Sequence, residues 1–292
     1  MTTVGALLDE ATHRLTSAGV PSPAHDAREL LSHVLHRRPM LLARTDPVSA
    51  DQAERFATLL AHRSARVPLQ HLTAEAHFRY LTLAVGPGAF VPRPETEVMT
   101  GWAVDRLRER PAGDAPPVVV DLCTGSGAIA KAVATEVPGS RVFAVEVSPE
   151  AHAWAERNLA DTDVTLLLGD MADSLAELDG TVDLVICNPP YVPLEAYDSV
   201  VAEARDHDPT IALFSGDDGL DAIRVLTATA ARLLKPGGRL TFEHAEVQVD
   251  AAPAVVVASA AYRTVRDHRD LTGRPRFVTA VRTSSPLAGW DE

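Results

Sequence analysis

The chain has 292 residues, enough for about two domains, and 46% of them are hydrophobic. This composition excludes a disordered chain, and the formal net charge of −13 argues against a chain-wide basic surface for nucleic acid. The two cysteines, Cys123 and Cys187, exclude a disulfide framework and a four-cysteine zinc site, and no apolar run approaches the ~20 residues of a membrane span.

The N-terminal region predicts a small bundle of helices and no strand. Apolar residues recur at helical spacing over 4–15 and again over 27–35. Ser49 stands where it can cap a third helix, whose apolar face runs over 53–60.

The distribution of charge supports a division of the chain. Residues 1–80 carry nine basic and eight acidic side chains, whereas residues 81–292 carry 18 and 32. We predict a helical domain over 1–75, a hairpin and linker over 76–95, an α/β domain over 96–284 and a loose tail over 285–292.

A hairpin is predicted over residues 77–91, where alternating and β-branched residues flank the sequence Gly-Pro-Gly at 86–88. It leads into the segment PRPETE (92–97), whose prolines hold the chain extended and rigid. A helix is expected to begin near Thr96.

From Val118 onward, near-continuous apolar strands alternate with amphipathic helices. This pattern is typical of a parallel sheet covered on both faces, so we predict a doubly wound α/β domain that binds ligands at the carboxyl ends of its strands. The strand segments lie over 118–122, 141–147, 164–170, 182–188, 238–243 and 276–281, and the helices over 127–136, 148–160 and 219–234.

A glycine-rich turn, DLCTGSG, follows the first of these strands. Gly125 and Gly127 let a ligand approach the backbone, and the free N–H groups of the next helix attract an anion. Cys123 occupies the first glycine position of the dinucleotide fingerprint, and no Gly-Lys-Ser/Thr follows to make a P-loop. The turn by itself is equally compatible with a ligand site and with a simple reversal of the chain.

Two acidic residues end the next two strands. Glu146 stands where doubly wound nucleotide sites carry an acid that accepts hydrogen bonds from both ribose hydroxyls. The carboxylate of Asp170, after Gly169, can accept from an exocyclic adenine amine. The alternative for Glu146 is a charge at the N-terminus of the next helix, which Ser148 can cap, and the alternative for Asp170 is a turn that ends the strand.

The motif Asn188-Pro189-Pro190-Tyr191 is the most specific of the chain. Two prolines cannot extend a sheet, so they turn the chain out at the carboxyl end of the strand VDLVIC. The Asn188 side-chain oxygen and the Pro189 carbonyl then form two acceptors for the two hydrogens of a planar NH₂ group. Tyr191 supplies a ring that stacks on a flat substrate group.

With these motifs the sequence resembles the class I S-adenosylmethionine-dependent methyltransferases. More narrowly, it resembles the PrmC/HemK family, which methylates the glutamine of the Gly-Gly-Gln motif in peptide chain release factors. The resemblance covers nearly the whole chain. Its motifs are PLQHLTA (68–74), VPRPETE (91–97), DLCTGSGAIA (121–130), NPPYVP (188–193), DPTIALFSGDDGL (208–220), LKPGGRL (234–240) and RDLTGRPRFV (269–278).

The resemblance implies a seven-stranded, mostly parallel Rossmann-like methyltransferase sheet and an N-terminal domain that recognises a protein substrate, the release factor. S-adenosyl-L-methionine is the implied methyl donor and S-adenosyl-L-homocysteine the product, with no metal, nucleic acid or membrane involved. The expected protein is a monomer, and it is cytoplasmic because its N-terminus lacks a signal-peptide pattern.

The resemblance also implies the residues of the site. Those expected to bind the donor are Cys123, Thr124, Gly125, Ser126, Gly127, Glu146, Asp170, Met171 and Asn188. Those expected to bind the substrate are Arg93, Glu95, Asn188, Pro189, Pro190 and Tyr191, and the transfer itself is assigned to Asn188, Pro189 and Tyr191. For Arg93 and Glu95, an interdomain ion pair is the alternative.

The sequence departs from the family pattern at two glycine positions, which carry Cys123 and Ala245, and Glu146 stands where Asp is frequent. Two other functions stay open, and a third is disfavoured. An amine methyltransferase acting on nucleic-acid bases shares the Asn-Pro-Pro-Tyr motif, a scaffold that binds the donor without catalysis shares the fold, and a dinucleotide oxidoreductase is disfavoured by the missing glycine.

Overall fold

The structure is a computed structural model that describes residues 2–111 and 115–284; the predicted tail at 285–292 lies outside the described residues. The chain divides into two compact units. The first unit consists of Met1–Glu75, Val85–Pro87 and Val200–His207. The second contains Ala76–Ala84, Gly88–Ser199 and the chain from Asp208 onward.

The first unit is built mainly of helices, as the sequence predicts. The helices are α1 (Val4–Ser17), α2 (Pro23–Leu35), α3 (Ala50–Ser64) and the short α4 (Leu69–Thr73), with a 3₁₀ turn at Pro39–Leu41. Ser49 caps α3 through a capping box, in which its hydroxyl accepts from the Gln52 N–H and the Gln52 side chain accepts from the Ser49 N–H. Their apolar faces meet in a core that includes Leu8, Leu30 and Phe56.

The expectation that this region contains no strand was wrong. Two short strands, β1 (Thr2–Thr3) and β2 (Pro47–Val48), pair in antiparallel fashion. Each is only two residues long, so neither can display the period-two alternation by which a strand is detected in a sequence.

The second unit begins with the predicted hairpin, but its turn lies elsewhere than expected. The strands are β3 (Glu75–Phe78) and β4 (Leu81–Ala84), so Arg79 and Tyr80 form the turn and Gly-Pro-Gly follows it. Gly88 is therefore not required by the hairpin turn. Glycine suits this position because its φ is +92° and a Cβ there would lie 2.8 Å from the Cβ of Glu150.

The body of the second unit is a seven-stranded sheet in the order β10-β11-β9-β8-β5-β6-β7. Strands β5 to β9 run parallel, while β11 is antiparallel to β9 and β10 antiparallel to β11. The strands are β5 (Val118–Leu122), β6 (Arg141–Glu146), β7 (Thr165–Leu168), β8 (Val182–Cys187), β9 (Leu234–Glu243), β10 (Tyr262–Arg269) and β11 (Pro275–Arg282).

Helices flank this sheet, which confirms the predicted Rossmann-like α/β fold. They are α5 (Pro94–Arg108), α6 (Ala128–Glu136), α7 (Pro149–Leu159), α9 (Thr210–Leu213), α10 (Asp221–Leu233) and α11 (Ala251–Ala258), with 3₁₀ turns at Ala176–Leu178, Leu194–Ser199 and Glu246–Gln248; α8 (Ala202–His207) belongs to the first unit. In the core, Val185 and Phe242 of the sheet belong to one buried cluster with Ile223 and Leu226 of α10. Among the described residues, every helix is too short or too polar to cross a bilayer.

Helix α8 joins the first unit through a nearly buried group of ion pairs. The Arg63 guanidinium donates to Asp26 Oδ2 at 2.8 Å and to Glu203 Oε1 at 2.9 Å, and Arg66 Nε donates to the same Glu203 oxygen at 2.8 Å. Burial tends to raise the pKa of Glu203, but the hydrogen bonds from Arg66 and Arg63 outweigh it and hold that pKa at about 2.

We expect Glu203→Gln to destabilise the protein at neutral pH by about 2 kcal/mol. The substitution leaves Arg66 without a carboxylate partner and Arg63 with Asp26 alone. The pKa of Glu203 falls from 4.5 to about 2 on folding. Its contribution is therefore complete above pH 4.5 and is lost as the pH falls toward 2. Urea denaturation of both proteins at pH 7 and at steps from pH 5 to 3 measures this difference.

The exposed Glu54 of α3 gives the matched control, Glu54→Gln, which is expected to change the urea midpoint little at any pH. A loss in Glu203→Gln that stays constant from pH 7 to pH 3 would contradict the assignment to the ionised carboxylate.

Candidate active site

A cavity of about 300 Å³ opens at the carboxyl edge of the sheet, wholly within the second unit. Its size falls at the lower end of the range for small-molecule sites. The predicted site residues that line it are Cys123, Thr124, Gly125, Ser126, Glu146, Asp170, Met171, Asn188, Pro190 and Tyr191. Within the described chain, the other four predicted residues, Gly127, Pro189, Arg93 and Glu95, do not line it.

Asp121 holds the loop after β5 in place through hydrogen bonds. This side chain is fully buried, and its Oδ2 accepts from the Thr124 hydroxyl at 2.6 Å and from the Ala130 N–H at 3.1 Å. Burial raises the pKa of Asp121 to about 7. Its other oxygen is buried without a hydrogen-bond partner among the described groups.

Cys123 adopts a left-handed backbone conformation with a φ of +60°. This conformation costs a residue with a Cβ roughly 1–2 kcal/mol and glycine almost nothing, so the position favours glycine. The Cys123 thiol lies 3.8 Å from the sulfur of Met171, so the two side chains form one continuous apolar wall of the cavity.

Glu146 is held rigidly at the cavity. Its Oε2 accepts from the Gly125 N–H at 2.7 Å, and its Oε1 accepts from the Ser148 N–H at 2.9 Å. Each oxygen keeps a second acceptor position, which suits a pair of neighbouring hydroxyls. Ser148 caps α7 by accepting from the Ala151 N–H, so the helix does not need Glu146 as its cap.

Asp170 follows β7 and is exposed at the rim of the cavity, where its Oδ1 accepts from the Ala172 N–H at 2.9 Å. The remaining walls are largely aromatic and aliphatic, and sequence reasoning missed them. They include Phe78, Phe90, Pro92, Ile129, Val192, Ile211 and Leu213. Two signals pointed to them, since Phe78 lies in the predicted hairpin and 211–213 lie in the quoted motif DPTIALFSGDDGL.

Asn188 is oriented by groups outside its own motif. Its Nδ2 donates to the hydroxyl of Thr96 at 3.2 Å, and that hydroxyl donates to Glu243 Oε2. The hydroxyl of Tyr191 donates to the other Glu243 oxygen at 3.3 Å. Burial raises the pKa of Glu243 to about 7. The Asn188 Oδ1 has no hydrogen-bond partner in the described part of the chain and remains available at the cavity.

In the PRPETE segment, Pro92 and Thr96 line the cavity rather than the predicted Arg93 and Glu95. Arg93 instead donates to Asp208 Oδ2 at 2.6 Å, and its guanidinium lies 4.8 Å from the centre of the Phe90 ring. Both partners of this ion pair belong to the second unit. Glu95 is partly exposed near the charges of Glu243 and Arg276.

The residues present fit S-adenosylmethionine. A fixed carboxylate suits the ribose diol, and apolar walls suit the adenine ring and the thioether. The left-handed Gly125 lines the cavity, and a Cβ there would meet nothing within 4 Å, which leaves room for the amino-acid end. The lining of the cavity therefore suits this donor, and the contact that each residue makes with it stays a prediction.

Comparisons with known proteins show similarity to methyltransferases over nearly the whole chain. Residues 6–73 match the PrmC N-terminal domain, and residues 119–207 match a methyltransferase domain. The chain is 52% identical to a release factor glutamine methyltransferase of Streptomyces coelicolor, over 93% of this chain and 95% of that protein.

Two further relatives bear on the choice of substrate. A release factor glutamine methyltransferase of Mycolicibacterium smegmatis is 44% identical, over 97% of this chain and 99% of that protein. A 4-amino-L-phenylalanine/4-methylamino-L-phenylalanine methyltransferase of Streptomyces pristinaespiralis is 40% identical, over 88% of each chain. The names of all three relatives describe methyl transfer.

Proposed function

The chain belongs to the release factor glutamine methyltransferase family, and we propose that its substrate is the glutamine of the Gly-Gly-Gln motif of a peptide chain release factor. A methyl group passes from the sulfonium of S-adenosyl-L-methionine to the side-chain amide nitrogen of that glutamine. The S–CH₃ bond breaks as the N–CH₃ bond forms, S-adenosyl-L-homocysteine leaves, and one amide proton is released to water. The observation that carries this assignment is the free Asn188 Oδ1 at a cavity whose other walls fit the donor.

The donor supplies an electrophilic methyl group on a sulfonium. The two fixed oxygens of Glu146 accept hydrogen bonds from the ribose hydroxyls, while Asp170 and Met171 border the adenine. The loop 123–127 and the start of α6 receive the carboxylate of the amino-acid end through backbone N–H groups. Gly127 contributes by close packing, because a Cβ there would lie 3.2 Å from the Leu159 side chain.

Asn188, Pro189 and Tyr191 handle the acceptor. An amide nitrogen is a poor nucleophile because its lone pair is delocalised into the carbonyl. The Asn188 Oδ1 and the Pro189 carbonyl accept the two N–H hydrogens, which turns the nitrogen lone pair toward the methyl group. Such positioning can supply roughly 7 kcal/mol of the barrier or more, and the two acceptors stabilise positive charge that develops at the N–H groups.

The remaining assignments concern the protein substrate. The helical N-terminal domain recognises the release factor. Arg93 and Glu95 contact the loop that carries the glutamine, and Pro190 and Tyr191 flank the glutamine side chain. No nucleic acid takes part. The protein acts as a monomer in the cytoplasm, where release factors work, and light scattering of the purified protein checks the monomer.

The deciding experiment measures transfer of labelled methyl from S-adenosylmethionine to a purified release factor and to its Gln→Ala variant in Gly-Gly-Gln. Label on the wild type alone is expected. Parallel reactions contain 4-amino-L-phenylalanine or total RNA as the acceptor. Label on either of these, with none on the release factor, would replace the proposed substrate, and donor binding without any transfer would favour a scaffold.

A further inference from the structure

Thr96 and Glu243 have no role among the predicted site residues, yet a series of hydrogen bonds connects them to Asn188. Asn188 directly follows β8 and Glu243 ends β9, and the pairing of Cys187 with Phe242 brings the two residues side by side at the carboxyl edge of the sheet. The first turn of α5 places Thr96 over the same point. Thr96 and Glu243 are 4% and 1% exposed, so water does not compete for their hydrogen bonds.

The hydrogen bonds of this group leave Asn188 one orientation. A hydroxyl has one proton, and Thr96 gives it to the Glu243 carboxylate. The Thr96 oxygen can then only accept, so it must face the NH₂ side of the Asn188 amide, as it does at 3.2 Å. The amide oxygen is thereby turned to the cavity.

We propose that Thr96 and Glu243 are positioning residues that select the amide orientation of Asn188 and thereby make the site specific for a substrate that presents NH₂. This inference rests on the proposed use of Asn188 as an acceptor for the glutamine amide. With the Asn188 amide rotated by half a turn, its own NH₂ would face the substrate NH₂, and two donors cannot bind each other.

The selection depends on the ionisation of Glu243. The groups that face it are Tyr191 from the loop after β8, Arg276 from β11, and Glu95 and Thr96 from α5. Burial raises the pKa of Glu243 to about 7, against the hydrogen bond from Thr96 and the charge of Arg276. A protonated Glu243 can donate to Thr96, whose hydroxyl is then free to donate to the Asn188 oxygen. Selection therefore fails as the pH falls through about 7.

The test compares four variants at saturating donor and release factor. Thr96→Val removes the hydroxyl at nearly constant shape and is expected to lower kcat about tenfold, with the Kd of the donor within about twofold of wild type. Thr96→Ser restores the hydroxyl and most of kcat. Thr100→Val, one turn later on α5, removes a hydroxyl that donates only to the Thr96 carbonyl and serves as the control with unchanged kcat.

Glu243→Gln supplies the readout that a purely structural role would not move. Wild-type kcat is expected to rise with pH with a midpoint near 7, whereas Glu243→Gln has a kcat about tenfold lower and no such midpoint. Should Thr96→Val fail to fold, Glu243→Gln and Thr96→Ser carry the test.

Wild-type kcat in Thr96→Val, no rescue by Thr96→Ser, or a retained midpoint in Glu243→Gln would each overturn the inference. Failure of the proposed function is a separate result, because wild-type protein would then leave the release factor unlabelled.

Discussion

The Asn188→Ala variant is expected to lose methyl transfer, with kcat lowered about 10³-fold or more, while it binds the donor almost as tightly as wild type. The substitution removes the acceptor that orients the substrate NH₂ and leaves the Thr96 hydroxyl without its donor. Losing one preorganised polar group at a reacting centre costs about 10²–10³-fold, and misplacement of the nucleophile adds to this.

Two measurements on the same purified variant separate transfer from binding. Titration with donor gives its Kd, and label incorporation into the release factor gives kcat. Because the proposed role of Asn188 is to bind the acceptor amide rather than the ribose or the amino-acid end of the donor, the Kd is expected to stay within about threefold of wild type. Turnover near the wild-type rate would remove Asn188 from the reaction, and loss of donor binding would make it a donor ligand instead.

The fold could be predicted largely from the apolar strands, because strands buried on both faces read as continuous hydrophobic runs. All six predicted strands are present, and β5 and β8 are buried at every position. Strand β10 was missed because it lies at the edge of the sheet, where half of its sequence YRTVRDHR is charged and only its first residue is buried. Its strand conformation comes from pairing with β11, which a local pattern does not contain.

The position of the hairpin turn also depends on distant residues. Gly-Pro-Gly is the stronger turn signal, yet the chain reverses at Arg79, whose φ is +53°. The Arg79 guanidinium donates to Glu136 Oε2 at 2.7 Å and to the Glu97 carbonyl at 3.0 Å. These contacts span 57 and 18 residues of sequence, so tertiary structure overrides the local preference.

The candidate site also contains residues that the sequence could predict and residues whose roles depend on distant contacts. Residues that follow strands, such as Glu146 and Asn188, could be predicted because the carboxyl ends of parallel strands meet at one edge. Thr96 could not, although its segment was singled out, because its importance lies in a hydrogen bond to a residue 92 positions later. Glu243 likewise acts through Thr96, at a separation of 147 residues.

The Glu146→Ala variant is expected to show the opposite behaviour to Asn188→Ala. In the wild type, Glu146 is 7% exposed, and the Gly125 and Ser148 N–H groups fix its carboxylate. It therefore offers two preorganised acceptors to the ribose diol. Hydrogen bonds to a charged group contribute about 1.5–3 kcal/mol each. Their loss, together with release of the loop at Gly125, is expected to weaken donor binding about 10²-fold or more.

Isothermal titration with donor measures this loss, and Glu150→Ala gives the matched control. Glu150 lies four residues later at the start of α7, and its exposed carboxylate accepts from the Ser148 hydroxyl at 2.9 Å rather than lining the cavity. Its donor Kd is expected to stay within about twofold of wild type. Wild-type affinity in Glu146→Ala would remove this carboxylate from the donor site.

At saturating donor, Glu146→Ala should keep most of kcat, because the ribose is bound equally in the ground state and the transition state. An effect on Kd in Glu146→Ala and an effect on kcat in Asn188→Ala would together assign donor binding to the carboxyl end of β6 and methyl transfer to the carboxyl end of β8.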